Sequence, residues 1–325
     1  MIVRAGFIGV GGISDLHLTY LQTRKDVEIV AMADPNSENL NLHVKKYGGR
    51  GYSDFHQMLE SEKIDAVWIC TPPQIREEPI LESVDRGVAV FCEKPVERTL
   101  EKANRIASEL KRRKNALVQI GYVFRAMPII NALKQSIADD SIRLVQSFYG
   151  SPMSRTMELP AWFYEKEKSG GGLMDQATHN LDLFRYVVGE IPRVKGFAGN
   201  PAHPKKPGYT IDEVISLSFE FENGSLGSHL HTWLGDKWRN EMVFIGEKRM
   251  YRIDIWAGEL VIEEEWETRS IRQDMDKMYH HENERFLEMV QAKDPDLNIC
   301  SFEEGVKTLD LVLRCDAAVC SSVEN

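Results

Sequence analysis

The stretch Ile2-Val3-Arg4-Ala5-Gly6-Phe7-Ile8-Gly9-Val10-Gly11-Gly12-Ile13-Ser14 follows Met1 and decides the fold of the first part of the chain. An apolar run of strand length leads directly into a G-x-G-x-x-small pattern, and a helical pattern follows. In such a unit the first glycine permits a tight turn, the second leaves room for a pyrophosphate beside the backbone, and the small residue lets the helix pack on the strand. The N–H groups at the helix N-terminus attract phosphate. The stretch therefore predicts a dinucleotide site formed by Gly9, Gly11, Gly12 and Ile13.

An acidic residue closes the second apolar run, which covers residues 27–33. Asp34 stands roughly 20 residues beyond the turn, where a carboxylate binds a ribose 2′-hydroxyl. Pro35 and Asn36 follow it, and no arginine stands there to receive a 2′-phosphate. The pattern favours NAD over NADP as the cofactor. The alternative is a glycine turn in an α/β protein that binds no nucleotide.

Apolar runs and helical patterns alternate through residue 121. The runs at residues 66–70, 88–92 and 118–120 are continuously apolar, which is typical of parallel strands that are buried on both faces. The sequence thus predicts an α/β fold whose first domain, residues 1–121, is built on a doubly wound parallel sheet.

The pattern changes in the remainder of the chain, residues 122–325. The runs at 214–221 and 226–232 alternate with a period of two on either side of Asn223-Gly224, which is a strong hairpin signal. A long helix is expected between Gly172 and Gly189. We therefore expect an α+β second domain with an antiparallel-rich sheet.

Composition and charge exclude several classes of protein. The 325 residues include 40 Lys and Arg and 50 Asp and Glu, for a net charge of −10 and a pI near 5.5. Such a chain is a poor binder of nucleic acid or of an anionic membrane. No apolar run approaches the ~20 residues of a membrane-spanning helix, and the start of the chain lacks the layout of a secretory signal. The five cysteines are scattered, so we expect a cytoplasmic protein. We expect no metal site, because His280-His281 does not belong to an H-E-x-x-H pattern.

Two turns follow predicted parallel strands, at the edge where such sheets bind ligands. Thr71-Pro72-Pro73 either borders the nicotinamide ribose or is a stiff connection. In Glu93-Lys94-Pro95, Lys94 points toward the same crevice, where it would hydrogen-bond a substrate hydroxyl and stabilise the oxygen as it loses its proton. Pro95 would fix the turn, and a cis bond is one way of doing so. The alternative is a surface lysine paired with a nearby glutamate.

Asp175, His179 and Asp182 follow the triplet Gly170-Gly171-Gly172 at i, i+4 and i+7 spacing, which places all three on one face of a helix. A histidine between two carboxylates is oriented by one of them, and its cation is stabilised. This arrangement suits a base that takes a hydroxyl proton. The alternative is a polar stripe in solvent, but the helix is apolar around much of its circumference, which favours a functional role.

Together these motifs resemble the Gfo/Idh/MocA oxidoreductase family, the group of glucose–fructose oxidoreductase and inositol dehydrogenase. The resemblance runs nearly end to end. Its markers are the glycine turn, Asp34, Thr71-Pro72-Pro73, Glu93-Lys94-Pro95, Gly121-Tyr122 with Arg125, and Gly170-Gly171-Gly172-Leu173-Met174-Asp175 continuing to His179. It implies a Rossmann domain followed by a domain with an open sheet, through which family members pair as homodimers or homotetramers. It also implies hydride transfer between NAD(P) and a hydroxyl-bearing carbon, with Lys94, Asp175 and His179 as the catalytic set.

The resemblance extends to less specific positions. It places Thr71, Pro72, Glu93 and Lys94 beside the cofactor, and Tyr122, Arg125 and Trp162 near the substrate. Core burial is the favoured alternative for Trp162. Many relatives carry a histidine a few residues after the threonine-proline turn, and here Arg76 occupies that neighbourhood, with no role assigned by the sequence.

The sequence therefore predicts an NAD-dependent dehydrogenase of a sugar, sugar derivative or cyclitol. Two other classes stay open at this point. One is a glycoside hydrolase that uses tightly held NAD for transient oxidation, and the other is a non-catalytic NAD or sugar sensor.

Overall fold

The computed structural model describes residues 1–154, 159–203 and 207–320. The chain divides into two compact units. The first unit comprises Met1–Ala126 and Lys277–Leu309, and the second comprises Met127–Asp276 with the chain from Asp310 onward.

Strands and helices alternate in the first part of the described chain, and strands predominate in the second. In chain order, the strands are β1 (Val3–Ile8), β2 (Val27–Ala33), β3 (Arg50–Tyr52), β4 (Ala66–Ile69), β5 (Ala89–Glu93), β6 (Val118–Gly121), β7 (Ile142–Gly150), β8 (Arg193–Gly199), β9 (Val214–Glu220), β10 (Leu226–Thr232), β11 (Arg239–Gly246), β12 (Met250–Asp254), β13 (Glu259–Glu264) and β14 (Glu267–Arg272). The helices are α1 (Gly12–Leu21), α2 (Ser37–Tyr47), α3 (Phe55–Ser61), α4 (Glu77–Asp85), α5 (Leu100–Arg112), α6 (Pro128–Ser136), α7 (Lys166–Ser169), α8 (Thr178–Val187), α9 (Met278–Ala292) and α10 (Phe302–Cys320).

The first unit is built on a six-stranded parallel sheet in the order β3-β2-β1-β4-β5-β6. The strand order reverses between β1 and β4, because the chain runs outward to β3 before it returns to the other side of β1. In sheets of this kind ligands bind outside the carboxyl ends of the strands at that reversal. The glycine turn follows β1 and Thr71 follows β4, so both stand at this point of the sheet.

Aromatic side chains form the core of the first unit. Phe7 of β1 stacks on Trp68 of β4 with ring centroids 5.5 Å apart, and Phe286 of α9 meets Trp68 edge to face at 5.1 Å. Asn283, also on α9, accepts a hydrogen bond from the Trp68 indole at 2.8 Å. Because α9 completes this core, residues 277–309 group with the N-terminal residues, whereas the sequence placed them in a domain of residues 122–325.

The second unit is built on an eight-stranded sheet in the order β14-β13-β12-β11-β7-β10-β9-β8. Its neighbours are antiparallel except for β7 and β10, which run parallel. Phe184 of α8 packs on the buried face, against Phe219 and Phe244. The predicted hairpin joins β9 and β10, and Gly224 has the positive φ of 81° that the turn requires.

The predicted α/β class, with a parallel first sheet and an antiparallel-rich second sheet, is confirmed. Some short or weakly patterned elements were not predicted. The elements β3, α3 and α7 are too short to show a period, and neither β8 nor β14 contains a buried residue. The helix expected between Gly172 and Gly189 is present without a break, but it is not α-helical throughout. A π-helical turn, Leu173–Ala177, precedes α8. None of the helices in the described part of the chain is both long and apolar enough to cross a bilayer.

Candidate active site

The glycine turn joins β1 to α1 and has space beside it for a phosphate. Gly9 has a φ of +83°, and a Cβ there would lie 2.9 Å from the Thr71 side chain, so only glycine suits the position. A Cβ on Gly11 or Gly12 would meet no atom within 4 Å. Ser14 is fully buried, which lets α1 pack closely on the sheet. These four residues fit the phosphate end of a dinucleotide, because open space faces the N–H groups at the start of α1.

Asp34, directly after β2, ties the glycine turn to its own loop. Its Oδ2 accepts a hydrogen bond from the Val10 N–H at 2.9 Å, and its Oδ1 accepts one from the Asn36 N–H at 2.8 Å. The side chain is half-buried, and each carboxylate oxygen has a second lone pair. Asp34 can therefore hold the turn and still accept a ribose hydroxyl.

The turn that carries Lys94 has a buried carboxylate under it. The Lys94-Pro95 bond is cis, and Lys94 itself is half-buried. Glu93 accepts from the Lys94 backbone N–H at 3.2 Å, and its Oε1 lies 2.9 Å from His17 Nε2 on α1. Burial raises the pKa of Glu93, but the hydrogen bond to His17 and the charges of His17, Lys94 and Arg76 offset this and hold the pKa below its ordinary value.

A second buried carboxyl lies beside this pair. Glu282 of α9 is fully buried, and neither of its oxygens has a hydrogen-bond partner among the described residues. One ligand-type atom from each of His17, Glu93 and Glu282 lies within 4.8 Å of the others. Burial, and then the charge of Glu93, raise the pKa of Glu282 well above its ordinary value, so Glu282 is the neutral member of the group. Sequence reasoning did not identify this cluster, because its members come from three distant segments.

Arg76 links the two turns at the carboxyl ends of β4 and β5. Its guanidinium donates to the carbonyl oxygens of Thr71, Glu93 and Pro95, with Nε and Nη2 3.0 and 2.7 Å from the Thr71 oxygen. The residue is 3% exposed. Arg76, to which the sequence assigned no role, is therefore a buried link between the Thr71 turn, which is predicted to border the cofactor, and the turn that carries Lys94.

In the second unit, the glycine triplet places Asp175 on an irregular turn. Gly170 and Gly171 have positive φ, and a Cβ on Gly172 would overlap the Nε2 atom of His231. Asp175 lies in the π-helical turn and His179 in the first turn of α8, and both are half-buried. Asp175 therefore does not precede His179 on a regular α-helix, and the expected placement of both on one helix face stays a prediction. Such turns often occur at functional sites.

Residues at the ends of β7 and β10 surround this turn, and sequence reasoning missed them. Burial, and then the charge of Asp175, raise the pKa of Tyr149, which meets His231 edge to face at 5.4 Å. Burial lowers the pKa of His231 well below its ordinary value, so this imidazole is neutral. Asp182, which was predicted to share one helix face with Asp175 and His179, is buried, with 1% of its surface exposed. The position of Tyr149 at the end of a strand is the one signal that could have identified it.

The predicted substrate residues have different surroundings. Trp162 is 48% exposed, so its expected core burial was wrong. Its neighbour Phe163 is half-buried and stacks on Trp233 with ring centroids 5.4 Å apart. Tyr122 and Arg125 are almost fully buried, and the Arg125 guanidinium donates to the Ile299 carbonyl at 3.1 Å. Contact of these residues with substrate stays a prediction.

The catalytic set is therefore divided between the units. Lys94 belongs to the first unit with the glycine turn, Asp34, Thr71 and Glu93, and Asp175 and His179 belong to the second. Their convergence on one substrate atom stays a prediction.

Two family profiles match the chain. One, described as an oxidoreductase family with an NAD-binding Rossmann fold, matches residues 3–122. The other, described as the GFO/IDH/MocA C-terminal domain, matches residues 131–252. The chain belongs to the Gfo/Idh/MocA oxidoreductase family. The resemblance read from the motifs is thus confirmed, and the chain is an oxidoreductase with an NAD-binding type of Rossmann fold.

Curated relatives in the family include dehydrogenases of sugars and cyclitols. D-glucoside 3-dehydrogenase of Escherichia coli (strain K12) is 27% identical over 242 residues, which are 69% of this chain and 68% of that protein. Myo-inositol 2-dehydrogenase of Thermotoga maritima is 26% identical over 232 residues, covering 69% of this chain and 67% of that protein. Rhizopine catabolism protein MocA of Rhizobium meliloti is 30% identical over 189 residues, and the match spans only 58% of either chain.

Solved structures of other oxidoreductases share the fold over nearly the whole chain. Levoglucosan dehydrogenase in complex with NADH and levoglucosan superposes with a TM-score of 0.87 at 19% identity, covering 98% of this chain and 97% of that chain. An oxidoreductase from Desulfitobacterium hafniense described as NADPH-dependent matches with a TM-score of 0.85 at 18% identity, covering 98% of this chain and 96% of that one.

Proposed function

We propose that this oxidoreductase is an NAD-dependent dehydrogenase that acts on a hydroxyl-bearing carbon of a sugar, sugar derivative or cyclitol. The observation that carries the proposal lies in the first unit. The glycine turn, Asp34, the Thr71 turn and the Lys94 turn all stand at the carboxyl edge of one parallel sheet, beside its strand-order reversal. Relatives of the same family are dehydrogenases of a D-glucoside and of myo-inositol, which supports the substrate class.

The cofactor preference follows from the end of β2. Asp34 offers carboxylate oxygens at the position where a ribose 2′-hydroxyl binds, and a 2′-phosphate would meet their negative charge. Asn36 is neutral and uses its side chain to cap α2, where it accepts from the Glu38 and Asn39 N–H groups. Gly9, Gly11, Gly12 and Ile13 would hold the pyrophosphate, and Thr71, Pro72 and Glu93 would border the nicotinamide end.

The proton chemistry is assigned to side chains of both units. His179 removes the hydroxyl proton, and Asp175 orients it or holds the substrate. Lys94 hydrogen-bonds the same oxygen and stabilises the negative charge that develops there. The nicotinamide, when bound, supplies the acceptor for the hydride that leaves the carbon.

Reduction of NAD⁺ across a panel of polyols tests the proposal. The panel holds myo-inositol, scyllo-inositol, D-glucose, methyl glucosides, levoglucosan and sugar acids, each with NAD⁺ and with NADP⁺. For the panel member that is oxidised fastest, K94A and H179N should each turn over roughly 10²–10⁴-fold more slowly, with NADH affinity retained. K45A and H281N, which change residues outside the site, are the matched controls.

Three outcomes of this experiment would contradict the proposal. Wild-type turnover in both K94A and H179N would remove the proposed roles. Glycoside cleavage without net NADH would support the hydrolase alternative. A protein that binds NADH but oxidises no panel member would support a sensor.

The proposal includes the location and the assembly of the protein. Cys70, Cys92 and Cys315 are buried and form no disulfide with any other described residue, which suits the reducing cytoplasm. The outer face of the second sheet carries exposed apolar side chains, namely Leu144, Phe197, Val214, Leu226, Leu230 and Ile245. A second copy that pairs through this face would cover them, which is the arrangement of a homodimer or half of a homotetramer.

A further inference from the structure

Arg76 is a buried cation that is held by carbonyl oxygens. It stands just before α4, and its guanidinium contacts three carbonyl oxygens in two separate turns. The arginine is 3% exposed and its fork donates to Thr71 on one side and to Glu93 and Pro95 on the other. A buried guanidinium is costly unless its N–H groups are satisfied, so the two turns and the arginine hold one another in place.

The contacts of Arg76 lie on both sides of Lys94 in the sequence. Glu93 and Pro95 are the immediate neighbours of Lys94, and Arg76 binds the carbonyl oxygens of both. The Glu93–Lys94 peptide directly before Lys94 is therefore anchored, and so is the Pro95–Val96 peptide one residue after it. A planar guanidinium can reach both of these oxygens and the Thr71 oxygen at once, whereas the ammonium of a lysine is a compact point charge.

The same contacts connect Lys94 to the glycine turn. Arg76 fixes the Thr71 carbonyl with N–O distances of 3.0 and 2.7 Å. Thr71 in turn lies directly against Gly9, where a Cβ would come within 2.9 Å of its side chain. The chain of contacts runs from the lysine turn through Arg76 to the segment that is proposed to bind the cofactor.

We infer that Arg76 is a positioning residue, which fixes Lys94 relative to the cofactor-binding turns through the backbone of Glu93 and Pro95. This inference rests on the proposed role of Lys94. Arg76 itself has no contact with the reacting atoms in this scheme. A displacement of about 1 Å at a reacting group can cost on the order of 10²-fold in rate, so loss of the bridge should act mainly on turnover.

Four variants test the inference: R76Q, R76K, K94A and the double variant R76Q/K94A. Turnover is measured with NAD⁺ and the panel polyol that the wild type oxidises fastest, alongside NADH affinity by fluorescence titration and the thermal midpoint. R76Q should lower kcat roughly 10- to 100-fold. R76K keeps the positive charge but lacks the planar guanidinium with its several N–H donors, so its kcat should be only slightly higher than that of R76Q. In the K94A background, the same R76Q change should have little further effect on kcat.

The control variant is R4Q. Arg4 also binds through two guanidinium nitrogens, to Asp65 at 2.7 and 2.9 Å, but it stands near the amino end of β1, whereas the predicted site follows the carboxyl ends of the strands. R4Q should leave kcat unchanged even where it lowers the thermal midpoint. A general loss of stability would thus be separated from an effect on Lys94.

The outcomes separate this inference from the proposed function. A wild-type kcat in R76Q overturns the inference. The inference is also overturned if R76Q lowers kcat by the same factor in K94A as it does in the wild-type protein. Normal kcat in K94A overturns the proposed role of Lys94 and the inference with it. If R76Q does not fold, R76G supplemented with methylguanidine replaces it, and a rise of kcat with methylguanidine that is absent in R76G/K94A supports the inference.

Discussion

His17 and Glu93 are joined inside the first unit, with His17 Nε2 2.9 Å from Glu93 Oε1 and both side chains buried. His17 lies on the helix that begins at the glycine turn, and Glu93 ends the strand that leads to Lys94. The other imidazole nitrogen is within hydrogen-bond distance of Asn283 on α9. One buried histidine therefore connects the helix that follows the glycine turn, the lysine turn and a helix from the far end of the sequence.

Replacement of Glu282 by glutamine should stabilise the protein at neutral and alkaline pH. The folded-state pKa of Glu282 lies well above the ordinary value near 4.5, so the unfolded chain ionises first as pH rises. Stability is therefore lost above about pH 4.5, until the pH reaches the folded-state pKa. E282Q removes this loss, so its thermal midpoint should exceed that of the wild type at pH 8 and match it near pH 4.

The control for this variant is E267Q, which changes an exposed residue of β14. It should leave the pH dependence of the thermal midpoint unchanged. An E282Q protein that is less stable than the wild type at pH 8 would show that the buried carboxyl is ionised and needed.

Substitution of Asp34 by alanine should weaken NAD⁺ binding and reduce discrimination against NADP⁺. The variant lacks the carboxylate that accepts the Val10 N–H and that is proposed to bind the ribose. Hydrogen bonds to charged groups contribute about 1.5–3 kcal/mol, which corresponds to roughly 10- to 150-fold in affinity. Fluorescence titration with NADH and NADPH measures both effects.

D54A is the matched control, since Asp54 also accepts a backbone N–H, at the start of α3 in the same unit. It should lower stability without a change in the NADH-to-NADPH affinity ratio. If D34A keeps the wild-type ratio, Asp34 does not set the cofactor preference.

Substitution of Gly172 by alanine should destabilise the second unit. The new Cβ would overlap the buried His231 ring, and overpacking of this kind costs about 1–3 kcal/mol. The thermal midpoint should fall by several degrees, and the double variant G172A/H231A should recover part of the loss. G199A, where a Cβ would meet no atom within 4 Å, should have little effect. A G172A protein as stable as the wild type would show that His231 moves freely.

Substitution of Leu230 by glutamate should dissociate the proposed oligomer. Leu230 is 45% exposed on β10, opposite Phe148 of β7 and Ser216 of β9. A charge in the centre of a buried sheet-to-sheet interface is strongly unfavourable. Light scattering after size exclusion should give a monomer for L230E and an oligomer for L42E, which changes an exposed leucine of α2. A monomeric wild type would contradict pairing through this sheet.

Local chemistry determined much of what the sequence could predict. The tight turn at Gly9, the continuous apolar runs of β4 and β5, and the Asn223-Gly224 hairpin each depend on residues that are near neighbours in the chain. Steric limits on the backbone and the period of side-chain burial act over such distances, so they leave a pattern in the sequence. The spacing within one strand–helix–strand unit also fixes Asp34 directly after β2, where the structure joins it to the Val10 N–H, while its bond to a ribose stays a prediction.

Tertiary structure alone decided the surroundings of the proposed catalytic residues. The cluster of His17, Glu93 and Glu282 unites segments up to 265 positions apart, and no periodicity relates them. Arg76 appeared in the sequence as a departure from the family pattern, and only its buried contacts give it a place between two turns. The π turn at Asp175 follows Gly172, which lies against His231 of β10, a residue far away in the sequence. Burial and long-range contacts depend on the whole folded chain. Local sequence patterns therefore determined the strands and their turns, whereas tertiary packing determined which polar side chains contact one another next to those turns.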